Sequence, residues 1–155
     1  MNQPQNCPCG SQQTFKLCCE PFICGLQVPA TAEQLMRSRY SAYATLAYQY
    51  IADTYAELPR ATLDANTLAA HDKATQWKAL EVLQAQGDTV SFKAYYLADG
   101  QYYCMHEISQ FVKENGQWRY LKGEMQNGAG KLDIGRNSAC PCNSGKKFKR
   151  CCASA

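Results

Sequence analysis

No apolar run in this 155-residue chain approaches the roughly 18 residues that a membrane-spanning helix needs. The opening stretch, Met1 to Asn6, is polar and holds none of the apolar segment of a secretory signal, which predicts the cytosol. No G-x-x-x-x-G-K-[ST] run occurs. Gly123, Gly128 and Gly130 stand in a turn-like segment, so a phosphate-cradling loop is excluded. Charge of one sign is scarce: the formal balance is +3. That is too little for a dedicated nucleic-acid binder, and the basic tail and the tyrosines suggest nucleic acid only weakly. Histidine is rare, with His71 and His106 alone.

Cysteine is what this chain has in excess, ten in all. In a reducing compartment such a number points to metal rather than to disulfides. The spacing says the same. CPCGSQQTFKLCC runs from Cys7 to Cys19, and CPCNSGKKFKRCC from Cys140 to Cys152. Both read C-x-C-x8-C-C, and eight of the thirteen positions are identical. Each copy gathers two close pairs of thiols across a short loop, which suits a tetrahedral ion. The predicted ligands are Cys7, Cys9, Cys18 and Cys19 in one site, and Cys140, Cys142, Cys151 and Cys152 in the other. Gly10 and Ser11, or Asn143 and Ser144, are placed to reverse the chain. Phe15 and Phe148 stand where each would roof the metal and dock it on the rest of the protein. Four thiolates favour zinc, two ions per chain, although iron also accepts an all-thiolate site. With every ligand supplied by protein, no position is left for water or substrate, so the sites are expected to be structural. Modules this small would draw their folding energy from the ion.

Zinc and its thiolates take the formal charge from +3 to about −1. The second copy surrounds its site with Lys146, Lys147, Lys149 and Arg150, and Lys131 and Arg136 extend that positive face. The first copy has only Lys16. These lysines either meet a partner or merely offset thiolate charge. The C-P-C-[GN]-S and F-K elements make both copies similar to the SEC-C metal-binding motif. That motif is best known from the tail of the preprotein translocase motor, where it holds zinc and docks the export chaperone and the ribosome. The resemblance implies a protein partner of this kind: a chaperone, a translocation component or the ribosome. The first copy departs from the usual G-S-G-K-K run at Gln12, Gln13 and Thr14.

Between the modules the pattern is helical first. Thr31-x-x-Gln34 forms a capping box. Leu35, Met36, Tyr40, Tyr43, Leu46 and Ala47 then recur at helical spacing, predicting a helix from Ala32 to Leu46. Shorter helices are expected at Tyr48–Tyr55 and Asp64–Asp72. From Thr75 the period becomes two, with turns at Gly87-Asp88, Asp99-Gly100 and Asn115-Gly116. Strands over Gln76–Gln86, Val90–Tyr96, Tyr102–Lys113 and Trp118–Gly123 make an antiparallel meander, hence an α+β roll. This order resembles the NTF2-like (cystatin-like) fold. PATAEQLMRSRYSAY (Pro29–Tyr43), H-E-x-S-x-F (His106–Phe111) and WRYLKGE (Trp118–Glu124), between two SEC-C copies, resemble the YchJ family. The resemblance implies N-terminal helices on a curved four-stranded sheet, with a four-cysteine zinc module at each end. The expected divisions are 1–28, 29–131 and 132–155, the last including a flexible linker, Gln126–Asn137.

A pocket between sheet and helices would be approached by His106, Glu107, Arg37, Arg39 and Tyr40. Cys104, His106 and Ile108 share one face of their strand, and Tyr103, Met105, Glu107 and Ser109 the other. His106 is thus a candidate to enter the cone as an acid or base. A lone His on a strand is more often a hydrogen-bonded core residue, and no second catalytic group is fixed by spacing. Arg37 and Arg39 are assigned to the polar side of the first helix, in a salt bridge to a carboxylate such as Glu107 or Glu124, or on an anion. Cys24 is either a spare ligand or a free thiol, and Cys104 a buried one. These features together favour a non-enzymatic zinc adapter whose C-terminal module meets a partner. The alternative is an enzyme or small-molecule binder using the pocket around His106.

Overall fold

The computed structural model describes residues 5–154. A 3-10 turn at Phe15–Leu17 leads into the single-turn helix α1 (Glu20–Ile23). Four helices follow: α2 (Ala32–Ala44), α3 (Tyr48–Asp53), α4 (Glu57–Arg60) and α5 (Ala65–Asp72). The sheet comes next: β1 (Thr75–Gln86), β2 (Thr89–Ala98), β3 (Gln101–Glu114), β4 (Gln117–Met125) and the short β5 (Gly130–Lys131). Further 3-10 turns lie at Phe148–Arg150 and Cys152–Ser154.

The longest helix starts where its cap requires. Gln34 N donates to Thr31 Oγ1 at 3.1 Å, and Ala30 N donates to Gln34 Oε1 at 2.7 Å. It stops at Ala44, two residues short of the sequence expectation. Leu46 takes a left-handed φ of 62°, while Ala47 N bonds Ala42 O and Leu46 N bonds Tyr43 O. That is a Schellman end, here built on an exposed leucine instead of a glycine.

The strands pair antiparallel in the order β1-β2-β3-β4. Asp99-Gly100 and Asn115-Gly116 have positive φ at both positions, the two-residue turn that matches strand twist. Register shifts at Trp77/Ala79, Val82/Gln84 and Gln110/Phe111 bend the sheet around the helices. Leu35, Met36 and Tyr40 of α2 pack on Leu80, Val90, Phe92 and Phe111 in the concave face. A second cluster, Ala42, Ile51, Ala52 and Leu68, joins α2, α3 and α5. This is the α+β roll expected from the sequence.

The first half of the expected linker, Gln126–Leu132, is bonded to the sheet. Gln126 N bonds His106 O at 2.7 Å. Gly130 and Lys131 pair with Cys104 and Tyr103 in β3, and Leu132 N bonds Tyr102 O at 2.8 Å. On β3, β4 pairs with Glu107–Glu114, which leaves the edge of the first half of the strand to β5.

Candidate metal centres and the central cavity

The two cysteine copies fold the same way. Cys7 N bonds Gln13 O, as Cys140 N bonds Lys146 O. Cys18 N bonds Phe15 O, as Cys151 N bonds Phe148 O. Two left-handed residues turn each loop: Gly10 (φ 79°) and Gln12 (67°), then Asn143 (60°) and Gly145 (82°). The result is two groups of four Sγ atoms, each within 4.8 Å of one another: Cys7, Cys9, Cys18 and Cys19, and Cys140, Cys142, Cys151 and Cys152.

These distances fit an ion. Four sulfurs about 2.3 Å from a tetrahedral centre stand about 3.8 Å apart. Cys9–Cys18 is 3.6 Å, Cys18–Cys19 3.8 Å and Cys142–Cys151 3.4 Å. The thiols by themselves share protons unequally. Hydrogen bonds from Cys19 and Cys7 hold Cys9 far below the usual thiol range. Bonds to Cys7 and Cys9, with burial, hold Cys19 far above it. Burial pushes Cys18 up to about 11 and Cys152 up to about 12. Four thiolates side by side therefore need a cation between them.

Two serines join the clusters. Ser11 Oγ lies 3.1 Å from Cys18 Sγ, and Ser144 Oγ 3.2 Å from Cys151 Sγ. Each also accepts a backbone N–H two residues on. They tie a cluster sulfur to its loop. Their signal in the sequence was the serine common to both copies.

The clusters differ in their surroundings. Cys7, Cys9 and Cys19 belong to the main core, with Phe15 packed against it. Cys7 Sγ meets Ser41 Oγ of α2 at 3.4 Å, and Arg37 Nη1 donates to Cys9 O at 2.9 Å. The second cluster lies at the surface, with Cys140 buried and its other three cysteines half-buried. Phe148 stands edge-on to Tyr102, ring centres 5.3 Å apart. Lys146, Lys147 and Arg150 are exposed, and Lys149 is half-buried. Neither Cys24, exposed, nor Cys104, buried on β3, joins a cluster.

Between α2 and the concave sheet is a cavity of about 500 Å³. Arg39, Tyr40 and Glu107 line it. His106 and Arg37 do not. His106 sits on the opposite face of β3, its Nδ1 2.9 Å from Asn127 O, because Met105, Glu107, Ser109 and Phe111 take the inner positions. The strand alternation was right and its inward side reversed. Arg37 pairs with Glu33 at 3.2 Å, not with Glu107 or Glu124. Arg39 is not on the polar side of its helix: it is 6% exposed. His71, for which the sequence offered no role, lines the cavity beside Asp72. Burial holds the Asp72 carboxyl above the usual range, although Tyr48 OH and Trp77 Nε1 donate to it. Glu107 Oε1 accepts from Ser109 Oγ and Tyr120 OH, and burial with the Glu107 charge holds the Tyr120 phenol up. Gly123 makes this possible, since a β-carbon there would collide with the Glu107 carboxyl.

Known proteins match along nearly the whole chain. The model of the YchJ middle NTF2-like domain matches residues 31–123, and the SEC-C motif matches residues 1–21 and 136–154. A UPF0225 protein of Vibrio vulnificus (strain YJ016) is 39% identical over 164 residues, covering 95% of this chain and 98% of its own. A UPF0225 protein of Geobacter sulfurreducens is 39% identical, covering 94% and 96%. The solution structure of a SEC-C motif containing protein from Rhodopseudomonas palustris has a TM-score of 0.73 at 35% identity, over 79% of this chain and 100% of that one. The crystal structure of a SEC-C motif containing protein from Psychrobacter arcticus has a TM-score of 0.68 at 30% identity, over 97% and 96%.

Proposed function

This chain belongs to the YchJ (UPF0225) family, and we propose that it is a non-enzymatic zinc adapter whose C-terminal module docks a protein or ribosomal partner in secretion, translation or chaperoning. The observation that carries this reading is the unequal burial of two otherwise matching clusters. The first is walled into the core by Ser41, Arg37 and Phe15, where it has little surface to offer. The second stands outside, with Lys146, Lys147, Lys149 and Arg150 on its loop and turn. A site closed by four thiolates has no open position for catalysis, so its product is shape and charge. Zinc is the ion that four thiolates select, with iron the competitor. No helix among the described residues is long and apolar enough to cross a membrane, and the reading places the protein in the cytosol.

The partner is expected to be acidic where it meets the module, or a ribosomal surface rich in phosphate. The test replaces Lys146, Lys147, Lys149 and Arg150 together by Ser. Metal content should stay at the wild-type level, while co-sedimentation with ribosomes or capture of export chaperones is lost. Unchanged capture by the substituted protein contradicts the reading.

A further inference from the structure

Two charged groups that line the cavity, Arg39 and Glu107, have hydrogen-bonding atoms without a partner among the described residues. Arg39 is 6% exposed. Its Nη1 donates to Ile51 O at 2.9 Å and to Thr54 Oγ1 at 2.6 Å. Its Nε and Nη2 have no hydrogen-bond partner among the described residues, and neither of the ion pairs there includes it. Its guanidinium carbon lies 4.4 Å from the Tyr55 ring centre and 4.7 Å from that of Tyr120. Aromatic faces offset part of the charge, but they leave the donor edge unused. A buried guanidinium without an anion is costly, and the planar fork is shaped for a carboxylate.

Glu107 is the complement. Its Oε1 accepts from Ser109 at 2.8 Å and from Tyr120 at 2.9 Å, while Oε2 accepts from nothing among the described residues. Tyr120 links the two groups: the Arg39 guanidinium lies over its ring and Glu107 accepts from its hydroxyl. Phe92, Phe111, Tyr40 and Trp77 form the apolar wall around them. About 500 Å³ is room for a small molecule.

We propose that this cavity binds a small aromatic α-hydroxy or α-amino acid, its carboxylate on Arg39, its hydroxyl or amine on Glu107, and its ring against the aromatic wall. A bare carboxylic acid satisfies Arg39 but meets the Glu107 charge without a donor to offset it. A neutral or cationic ligand leaves Arg39 unpaired. Arg39 is the one arginine or lysine of the lining, and Glu107 and Asp72 add negative charge, which disfavours a dianion such as phosphate and leaves a single carboxylate as the match.

Titration calorimetry on the full metal-loaded chain tests this with three probes: 3-phenyllactate, its amide, and 3-phenylpropionate. Phenyllactate should saturate and shift the backbone amide signals of Ser109 and Tyr120. Its amide should bind at least about tenfold more weakly, and so should phenylpropionate. Because Arg39 also ties α2 to the end of α3, its replacement risks unfolding, and the ligand series stands in for it. Glu107→Gln keeps the Ser109 and Tyr120 bonds. It should strengthen phenylpropionate and narrow its gap to phenyllactate. The proposal is overturned if the amide matches the acid, if phenyllactate fails to saturate below about 50 mM, or if Glu107→Gln leaves the gap unchanged. Both metal modules stay intact throughout, so such a failure does not touch the adapter reading.

Discussion

Cys7 and Ser41 stand 34 residues apart in sequence and 3.4 Å apart in space, thiol to hydroxyl, in the buried contact between the first cysteine cluster and α2. This contact, with Arg37 on the Cys9 carbonyl, makes the first module part of the domain core. The second module shares no such core and touches the sheet through Phe148 and the β5 segment.

The two sites should therefore differ in what their loss does. Cys9→Ala is expected to destabilise the whole domain by about 3 kcal/mol or more, because it breaks the ligand set proposed to hold an ion and leaves thiols stranded in the core. Cys142→Ala should unfold its own module and change the main transition by less than about 1 kcal/mol. Thermal unfolding of the two variants, followed by near-ultraviolet circular dichroism, separates them. Equal effects would mean that the second module is as deeply integrated as the first.

Gln12 and Gly145 occupy the same place in the two loops, with φ of 67° and 82°. A side chain in that conformation costs about 1–2 kcal/mol. Gln12 is exposed and loses little if trimmed. Gln12→Gly should stabilise the first module by about 1 kcal/mol, and Gly145→Ala should weaken the second by a similar amount. The readout is the zinc affinity of each site in competition with a chromophoric chelator. A weakened first site in Gln12→Gly would contradict the strain argument.

Asp72 is raised above its ordinary 3.8 by burial. Its carboxyl then holds a proton more tightly folded than unfolded, so the folded state is penalised as pH rises from below 3.8 through the folded value. At neutral pH the penalty is complete. Asp72→Asn keeps an acceptor for Trp77 Nε1 and offers its amide to the Tyr48 oxygen. The variant should be at least as stable as wild type at pH 7, and the difference should shrink as pH falls through the raised folded value and vanish below 3.8. A variant less stable at pH 7 by more than about 1 kcal/mol would show that the charge itself is needed there.

Much of this was legible in the residues. The two cysteine sets stand at one spacing, and capping, helical period and two-residue turns mark the order of elements. What the sequence hid was long-range. Nothing local joins Ser41 to Cys7, nor Arg39 to the backbone of α3 and the rings of Tyr55 and Tyr120. Arg39 looked polar because helical spacing counts side-chain type, whereas burial follows the aromatic shelf that receives it. On β3 the alternation separated His106 from Glu107 but did not say which side faced inward. Both sets mix polar and apolar residues, and the covering helices decide. The glycine-bearing segment after β4 looked like a free linker because β5 is only two residues long and pairs with an edge that sequence does not reveal.

The central claim is that both four-cysteine clusters hold structural metal. Elemental analysis of protein purified without chelator tests it most directly, on the wild type and on Cys9→Ala and Cys142→Ala. The account predicts two zinc ions per wild-type chain and one in each variant. Well under two metals in the wild type, or a single variant that loses both, would contradict it.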